Sequence, residues 1–353
     1  MLRTNRLAIP VIIVLVAAFG LTSLVEACSR VLWSRPGQPV IVGRSMDWFE
    51  PMGTNLWAFP RGIERAGLAG PNSLKWSSRY GSVVASVYDI ASADGINEAG
   101  LAAQVLWLAE SDYGKRDEST PALSISLWTQ YYLDNFATVA EAVEAARFAP
   151  YQVVPVEVGT SVKRPSTVHL SLADRSGDSA VIEFLDGKPV IHHGRQFAVM
   201  TNSPSFDRQL ELARQYQGLG GEKPLPGTTD PADRFARASY YTEHLPDPKS
   251  EREALAGVFS VMRNVSAPFG TVDAARPNVS TTLWRTVADL THGVYYFEST
   301  TSPNVIWARL SELDLSPDRP VLKLDLANQP ELVGDVTAEF RPFRPFSFAP
   351  ANP

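Results

Sequence analysis

From Val31 onward, apolar and polar positions come in short runs separated by turn residues. "RVLWS", "RPGQ" and "PVIVGRSMDW" predict a hairpin, with Pro36-Gly37 in the turn and the β-branched residues of "VIV" favouring strand. Further strands are predicted over residues 55–59, 82–88, 101–108, 166–172, 180–184 and 189–192, with turns at "DGINEAG" (94–100) and "DRSGD" (174–178). Helical spacing enters in the middle of the chain. Thr120-Pro121 gives an N-cap followed by a proline at the first helical position, and Leu123, Leu127 and Tyr131 recur every four residues. A second helix is predicted from Thr138, where Glu141 completes a capping box; Val139, Ala142, Val143 and Ala146 share one face before Pro150 stops it. Ser250 with Glu253 repeats that signal, ahead of Leu255, Val258, Phe259 and Met262 on a buried face. Between these helices "GLGGEKPLPGTTDPAD" (218–233) reads as a loop, of a length that compact domains mostly reserve for function. The chain closes on strands again, in "TTLWRTVADL", "GVYYFES" and "VIWARL". Strands divided between the two halves, around a helix-rich middle, predict a layered α+β fold rather than a parallel α/β sheet.

The first residues follow another pattern. Arg3 and Arg6 precede a run without charge from Leu7 to Val25, and Val25 and Ala27 fit the small residues of a cleavage site, so residues 1–27 read as a secretory signal peptide. An uncleaved membrane anchor is the competing reading, but Pro10, Gly20, Thr22 and Ser23 dilute the run. Cleavage would leave residues 28–353 as a single exported domain, periplasmic or secreted and without a membrane segment. It would also remove two arginines and one glutamate, taking the formal net charge from −6 to −7. A mildly acidic chain with no basic run speaks against nucleic acid as a partner. No G-x-G-x-x-G after a strand, phosphate-binding loop or H-E-x-x-H motif occurs, so nucleotide and zinc-protease chemistry lack support.

Exported chains ordinarily use cysteines in pairs, and this one has a single cysteine, Cys28, immediately after the expected cut. Three fates are open to it from the N-terminal stretch: a catalytic nucleophile, a lipid-attachment site or an inert thiol. As a new N-terminus it would carry a thiol and an α-amine on one residue. The amine, with an ordinary pKa of about 7.7–8.0, could take the proton of a thiol with a pKa of about 8.5, so no histidine would be needed. "VEAC" partly fits a lipoprotein site, with Glu26 out of pattern, and acylation would block the amine. In "VGRSMDW" (42–48), strand alternation puts Arg44 and Met46 on one face and Ser45 and Asp47 on the other. Asp47 could orient an ammonium and Arg44 could favour a thiolate, although an ordinary surface ion pair would look the same in sequence.

Five motifs then occur in order: Cys28 itself, "GRSMDW", "ADGINEAGLAAQVLW", "VMTNSPSFDRQL" and "DPADRFARA". In order and approximate spacing they resemble the choloylglycine hydrolase family, which includes bile salt hydrolases and penicillin V acylases, from Cys28 to about Leu310. The resemblance implies an N-terminal-nucleophile hydrolase with a four-layer αββα fold, whose reaction requires no metal or organic cofactor. It implies Cys28 as nucleophile, Arg44 and Asp47 as the polar residues holding it, Asn202 of "TNSP", and Arg234 of "ADRF". It further implies an oxyanion hole formed by the Asn202 side chain and the backbone N–H at Trp107, although Asn202 alone would read as a turn asparagine before Ser203-Pro204.

Trp107 departs from the bile salt hydrolases, which carry asparagine there, and Trp48 adds a second aromatic beside the nucleophile. Both features resemble the acylases of Gram-negative bacteria, and imply penicillin V or N-acyl homoserine lactones as substrates, with conjugated bile salts as the alternative. Either tryptophan could instead be core packing. Tetrameric relatives make the 218–233 loop a candidate lid or oligomer contact, and a homotetramer the expected assembly. The five histidines and the "NVS" triplets at Asn264 and Asn278 read as structural or incidental. Two other classes remain: a lipid-anchored, non-enzymatic protein of the same fold, and a serine hydrolase with Cys28 idle, which lacks a G-x-S-x-G elbow.

Overall fold

A computed structural model describes residues 28–148, 151–161, 163–220, 223–270, 280–328 and 331–351. The signal-peptide reading of 1–27, the Pro150 stop and Asn278 fall outside them.

Two mostly antiparallel sheets lie face to face. The first runs in spatial order Val199–Met200, Ser29–Trp33, Ile41–Trp48, Thr281–Asp289, Val294–Ser299, Val305–Arg309 and Gly334–Asp335. The second runs Lys188–His193, Ser179–Leu185, Val168–Asp174, Leu101–Trp107, Ala91–Asn97, Ser82–Val87, Leu56–Phe59, Leu322–Leu324 and Arg341–Pro342. Helices α1 (Trp128–Asn135) and α2 (Val139–Phe148) cover the outer face of the second sheet. Helices α4 (Pro231–Glu243) and α5 (Glu251–Asn264) cover the first, with α3 (Phe206–Ala213) packed against α4. This is the four-layer αββα sandwich. Apolar side chains of both sheets and of α4 and α5 form one core, and a second core lies between the other sheet and α1 and α2.

The two strands that open the described chain are β1 (Ser29–Trp33) and β2 (Ile41–Trp48), paired with Ser29 opposite Ser45 and Trp33 opposite Ile41. Both are buried along their whole length, because one face meets the other sheet and the other meets helices. Their polar residues are therefore informative, since burying a charge is costly unless it is compensated. The predicted alternation of β2 holds. Arg44 reaches across to the second sheet, donating from Nη2 to the Val105 carbonyl at 3.0 Å. Gly43 faces α5, where a Cβ would lie 2.6 Å from Met262 Cγ and 2.9 Å from Val258 Cγ1.

The capping signals at Thr138 and Ser250 are realised. Thr138 Oγ1 accepts from the Glu141 N–H at 3.2 Å, and the Ser250 hydroxyl accepts from the Glu253 N–H at 3.3 Å; such caps contribute about 1 kcal/mol each. Three expectations need correction. The helix predicted from Thr120 begins only at Trp128; before it come a strand, Ala122–Ser124, and a turn of 3₁₀ helix, Ile125–Leu127. The Ala122 and Ser124 amides are taken by the Asn72 and Gly67 carbonyls at 2.9 and 2.6 Å, and this distant pairing overrides local helix preference. In the 94–100 segment, Asp94 to Asn97 are strand, and only the last residues turn, where Gly100 adopts φ +89°. The 218–233 loop ends early: Asp230 holds the N-cap position of α4, without a side-chain capping hydrogen bond, and Pro231 is its first residue. Its described part is held to α4, with Arg237 donating to the Pro226 and Thr228 carbonyls at 2.8 and 2.9 Å.

The contact at Gly43 yields a stability prediction. Gly43→Ala should destabilise the protein by about 1–3 kcal/mol, because Met262 and Val258 must move within a packed layer. Urea unfolding of both proteins measures it, and an unchanged midpoint would show that α5 can shift without cost.

Candidate active site

β1 and β2 bring Cys28 and Asp47 together at the same end of the first sheet. The Cys28 sulfur accepts a hydrogen bond from the Asp47 N–H at 3.3 Å. It faces a narrow cavity of about 90 Å³ between the sheets, whose lining includes Arg44, Met46, Trp48, Met52, Tyr88, Trp107, Ile125, Val156 and Val158. No histidine is among the described residues that line it.

Behind the sulfur sits Arg234, fully buried on α4. Its Nη1 donates to the Cys28 carbonyl at 2.5 Å and to the Ser29 hydroxyl at 2.6 Å, and its Nη2 to Asn202 Oδ1 at 3.1 Å. Its Nε donates to the Thr229 carbonyl at 2.8 Å. The Nη2 contact fixes the orientation of the Asn202 amide: Oδ1 faces the guanidinium, so Nδ2 is the donor. Nδ2 donates one hydrogen to the Trp107 carbonyl at 2.8 Å, which leaves its second hydrogen for another acceptor.

The charges are arranged on both faces of β2. Asp47 is fully buried, and neither carboxylate oxygen has a hydrogen-bond partner among the described residues. Burial pushes its carboxyl up to about 6, against the opposing charges of Arg234 and Arg44 and the pull of the Thr282 hydroxyl, which stands opposite on the neighbouring strand outside hydrogen-bond geometry. Arg44 lies over the Trp284 ring, 4.5 Å from its centroid, and its Nε and Nη1 are buried without a partner among the described residues. Burial pushes the Cys28 thiol up as well, Arg44 and Arg234 pull it down, and the net direction is upward. With residue 27 attached the thiol is therefore neutral near neutral pH, and its activation needs a base.

All the predicted site residues gather here. Cys28, Arg44, Trp48 and Trp107 line the cavity, while Asp47, Asn202 and Arg234 stand behind the thiol and its neighbours. The tryptophans are not remote core residues: their ring centroids are 5.4 Å apart on the cavity wall. None of the described residues of the 218–233 loop is among those lining this cavity.

Sequence reasoning missed several neighbours. Asp94, placed in a turn, is a buried partner for the Arg44 charge and accepts from the Thr286 hydroxyl at 3.1 Å and from the Tyr295 hydroxyl. Only its place on a strand near Arg44 could have revealed it. Arg164 lies over the rings of Trp48 and Trp107, at 5.0 and 5.6 Å. A larger groove of about 400 Å³ lies beyond Met52 and Trp284, and no titratable residue is among the described residues lining it.

The family model of the linear amide C–N hydrolases, choloylglycine hydrolase family, matches residues 28–333. A penicillin V acylase of Pectobacterium atrosepticum is 45% identical over 347 residues, covering 92% of each chain. A bile salt hydrolase/transferase of Clostridium perfringens is 24% identical, over 73% of this chain and 85% of its own. Among solved structures, a penicillin V acylase from Agrobacterium tumefaciens superposes with a TM-score of 0.84 at 51% identity, covering 91% of this chain and 99% of that one.

The guanidinium fork predicts a sharp mutational effect. Lysine at position 234 can place one ammonium near one of the acceptors that Arg234 Nη1 and Nη2 hold together. Arg234→Lys should lower kcat by about 10²–10³, as loss of an oxyanion donor does, while KM changes less. A steady-state assay showing kcat within about twofold of the parent would remove Arg234 from this role.

Proposed function

Because the chain belongs to the choloylglycine hydrolase family of linear amide C–N hydrolases, we propose that it works as an exported enzyme beginning at Cys28, whose thiol attacks amides with an aromatic or fatty acyl group. Penicillin V and N-acyl homoserine lactones are the substrates in view. The match to the family starts at residue 28, which supports a mature chain that starts there.

One observation carries the reading: the Cys28 sulfur, its pKa raised by burial, accepts from the backbone N–H of Asp47, whose own carboxyl is fully buried. Cutting before Cys28 creates an ammonium next to Asp47, and an adjacent cation lowers the pKa of a buried carboxyl, so Asp47 stays charged further into acid. The amine then serves as the base that takes the thiol proton. Sulfur attacks the amide carbonyl, and the free Asn202 Nδ2 hydrogen, held in place by Arg234, is a donor for the negative charge that develops on oxygen. The ammonium protonates the departing amine, water adds to the thioester with the amine as base, and the acid leaves.

The acyl group meets Trp48, Trp107, Met46, Val87, Ile125 and Val158, an apolar lining that favours burial at about 25 cal/mol per Å². A cavity of about 90 Å³ is far below the roughly 300–1,000 Å³ of sites that hold drug-sized ligands. It suits a single ring or an alkyl chain better than the fused rings of a bile acid.

A panel of penicillin V, acyl homoserine lactones of several lengths and glycine-conjugated bile acids, ranked by kcat/KM, tests the substrate class; a wide preference for bile acids would overturn it. Cys28→Ser should lose most activity. One residue added before Cys28 should abolish it by moving the base off the nucleophile, and an untrimmed extended enzyme with full activity would refute the mechanism.

The state of Asp47 gives an independent test. In the uncut chain its folded pKa of about 6 exceeds the ordinary 3.8. Its contribution to stability is therefore present below about pH 4 and lost as pH rises through 6. Relative to an Asp47→Asn variant, the uncut chain should lose up to about 3 kcal/mol between pH 4 and 7. The chain beginning at Cys28 should not show that loss, and equal losses in both forms, from urea unfolding across that range, would count against an ammonium on Asp47.

A further inference from the structure

Glu50 lies two residues beyond Trp48, just past the end of β2, and has no part in the thiol chemistry above. Its carboxylate nevertheless collects an unusual number of donors. Oε1 accepts from the Tyr88 hydroxyl at 2.7 Å and from the Thr160 N–H at 2.6 Å. Oε2 accepts from the Thr160 hydroxyl at 2.9 Å, the Ser161 N–H at 3.1 Å and the Ser161 hydroxyl. Partial burial would raise its pKa, but these hydrogen bonds outweigh it and hold the carboxyl down to about 2. Glu50 therefore stays charged through any working pH.

The donors belong to two walls of the Cys28 cavity. Tyr88 lines it directly, and its hydroxyl also accepts from Trp48 Nε1 at 2.8 Å. Tyr88 and Asp89 both take left-handed backbone angles, φ +53° and +47°, in the tight turn between two strands of the second sheet. Such turns ordinarily use Asn or Gly, so this one is held by its surroundings. The Asp89 carboxylate supplies that hold, accepting from Trp57 Nε1 and Asn55 Nδ2, each at 2.9 Å.

Thr160 and Ser161 belong to the second wall. They connect Glu157–Val158 to Arg164–Pro165, which pair antiparallel. Val156, Val158 and Ser166 of this hairpin line the cavity, and Arg164 covers the Trp48 and Trp107 rings.

We propose that Glu50 is a positioning residue of the acyl-binding cavity: its carboxylate ties Trp48, through Tyr88, to the 156–166 hairpin and thereby sets the width of the cavity against the acyl group. The proposal rests on reading that cavity as the acyl site. Glu50 touches no reacting atom, so its effect is on which acyl groups bind and not on the rate of the bond-breaking steps. A ring-bearing acyl group needs both walls in register, whereas an acetyl group is too small to meet them.

The test compares penicillin V with the acetyl amide of the same amine, and adds limited trypsin digestion after the exposed Lys163 in the hairpin. In the chain beginning at Cys28, Glu50→Gln should raise KM for penicillin V about tenfold with kcat within about twofold, and leave kcat/KM for the acetyl amide within about twofold. Cleavage after Lys163 should become about tenfold faster, because the hairpin opens more often. Tyr88→Phe breaks only the Trp48 arm; it should raise KM for penicillin V while leaving the cleavage rate within about twofold of the parent. Equal losses on both amides, a fall in kcat at constant KM, or an unchanged cleavage rate in Glu50→Gln would overturn the proposal. If the parent hydrolyses neither amide, the substrate reading fails, and the digestion still decides whether Glu50 fastens the hairpin.

Discussion

One buried guanidinium joins the parts of this site. Arg234 is presented by α4, yet it binds the backbone and side chain of the first two described residues and the amide oxygen of Asn202. Cys28 and Asn202 are far apart in sequence, and their common contact is this one side chain. Burial lowers its pKa only to about 10, so it remains charged at neutral pH and must be compensated. Asp47 is the largest charge acting to keep it so. An unpaired buried charge would cost several kcal/mol, which explains why carboxylate, guanidinium and carbonyls occur together in an otherwise apolar layer.

The second consequence concerns β2. A strand shows alternate residues to opposite sides, so Arg44 and Asp47, three positions apart, act from opposite faces. Arg44 belongs to the layer between the sheets, near Asp94, whose buried carboxyl is pushed toward its neutral form against the pull of Arg44. Asp47 belongs to the layer beneath α4, with Arg234. The thiol lies between these two pairs, and burial keeps it protonated until something nearby changes charge. Under the proposed function, the α-amine of an N-terminal Cys28 would be such a change.

What the sequence disclosed follows from distance along the chain. The β1–β2 hairpin, the alternation of Arg44 and Asp47, and the caps at Thr138 and Ser250 are local, and each was readable from residues a few positions apart. The segment after Thr120 was not, because its backbone is claimed by Gly67 and Asn72, more than a helix length away. The start of α4 carried a readable signal, Asp230 as N-cap and Pro231 at the first helical position, but the Gly- and Pro-rich stretch before it hid the pattern. Asp94 stood in a "DG" pair that usually marks a turn, whereas here it is strand. Glu50, Tyr88 and the 156–166 hairpin form one cluster from three distant segments, and no spacing rule links them.

The division of labour that results bears on how such a site could change its substrate. The groups around the thiol are fixed by buried charge, where a lost partner leaves an unpaired ion in a dry layer. The groups around the Cys28 cavity are fixed mostly by aromatic contact and by hydrogen bonds to one partly exposed carboxylate, Glu50. Changes there alter shape without stranding a buried charge. Trp48 stands at the junction: it follows Asp47 directly on β2, yet its indole N–H is held by Tyr88. Substitutions that widen or narrow the cavity are therefore better tolerated on the Tyr88 and hairpin side than along β2, where the same strand carries both the wall and the buried charges of Arg44 and Asp47.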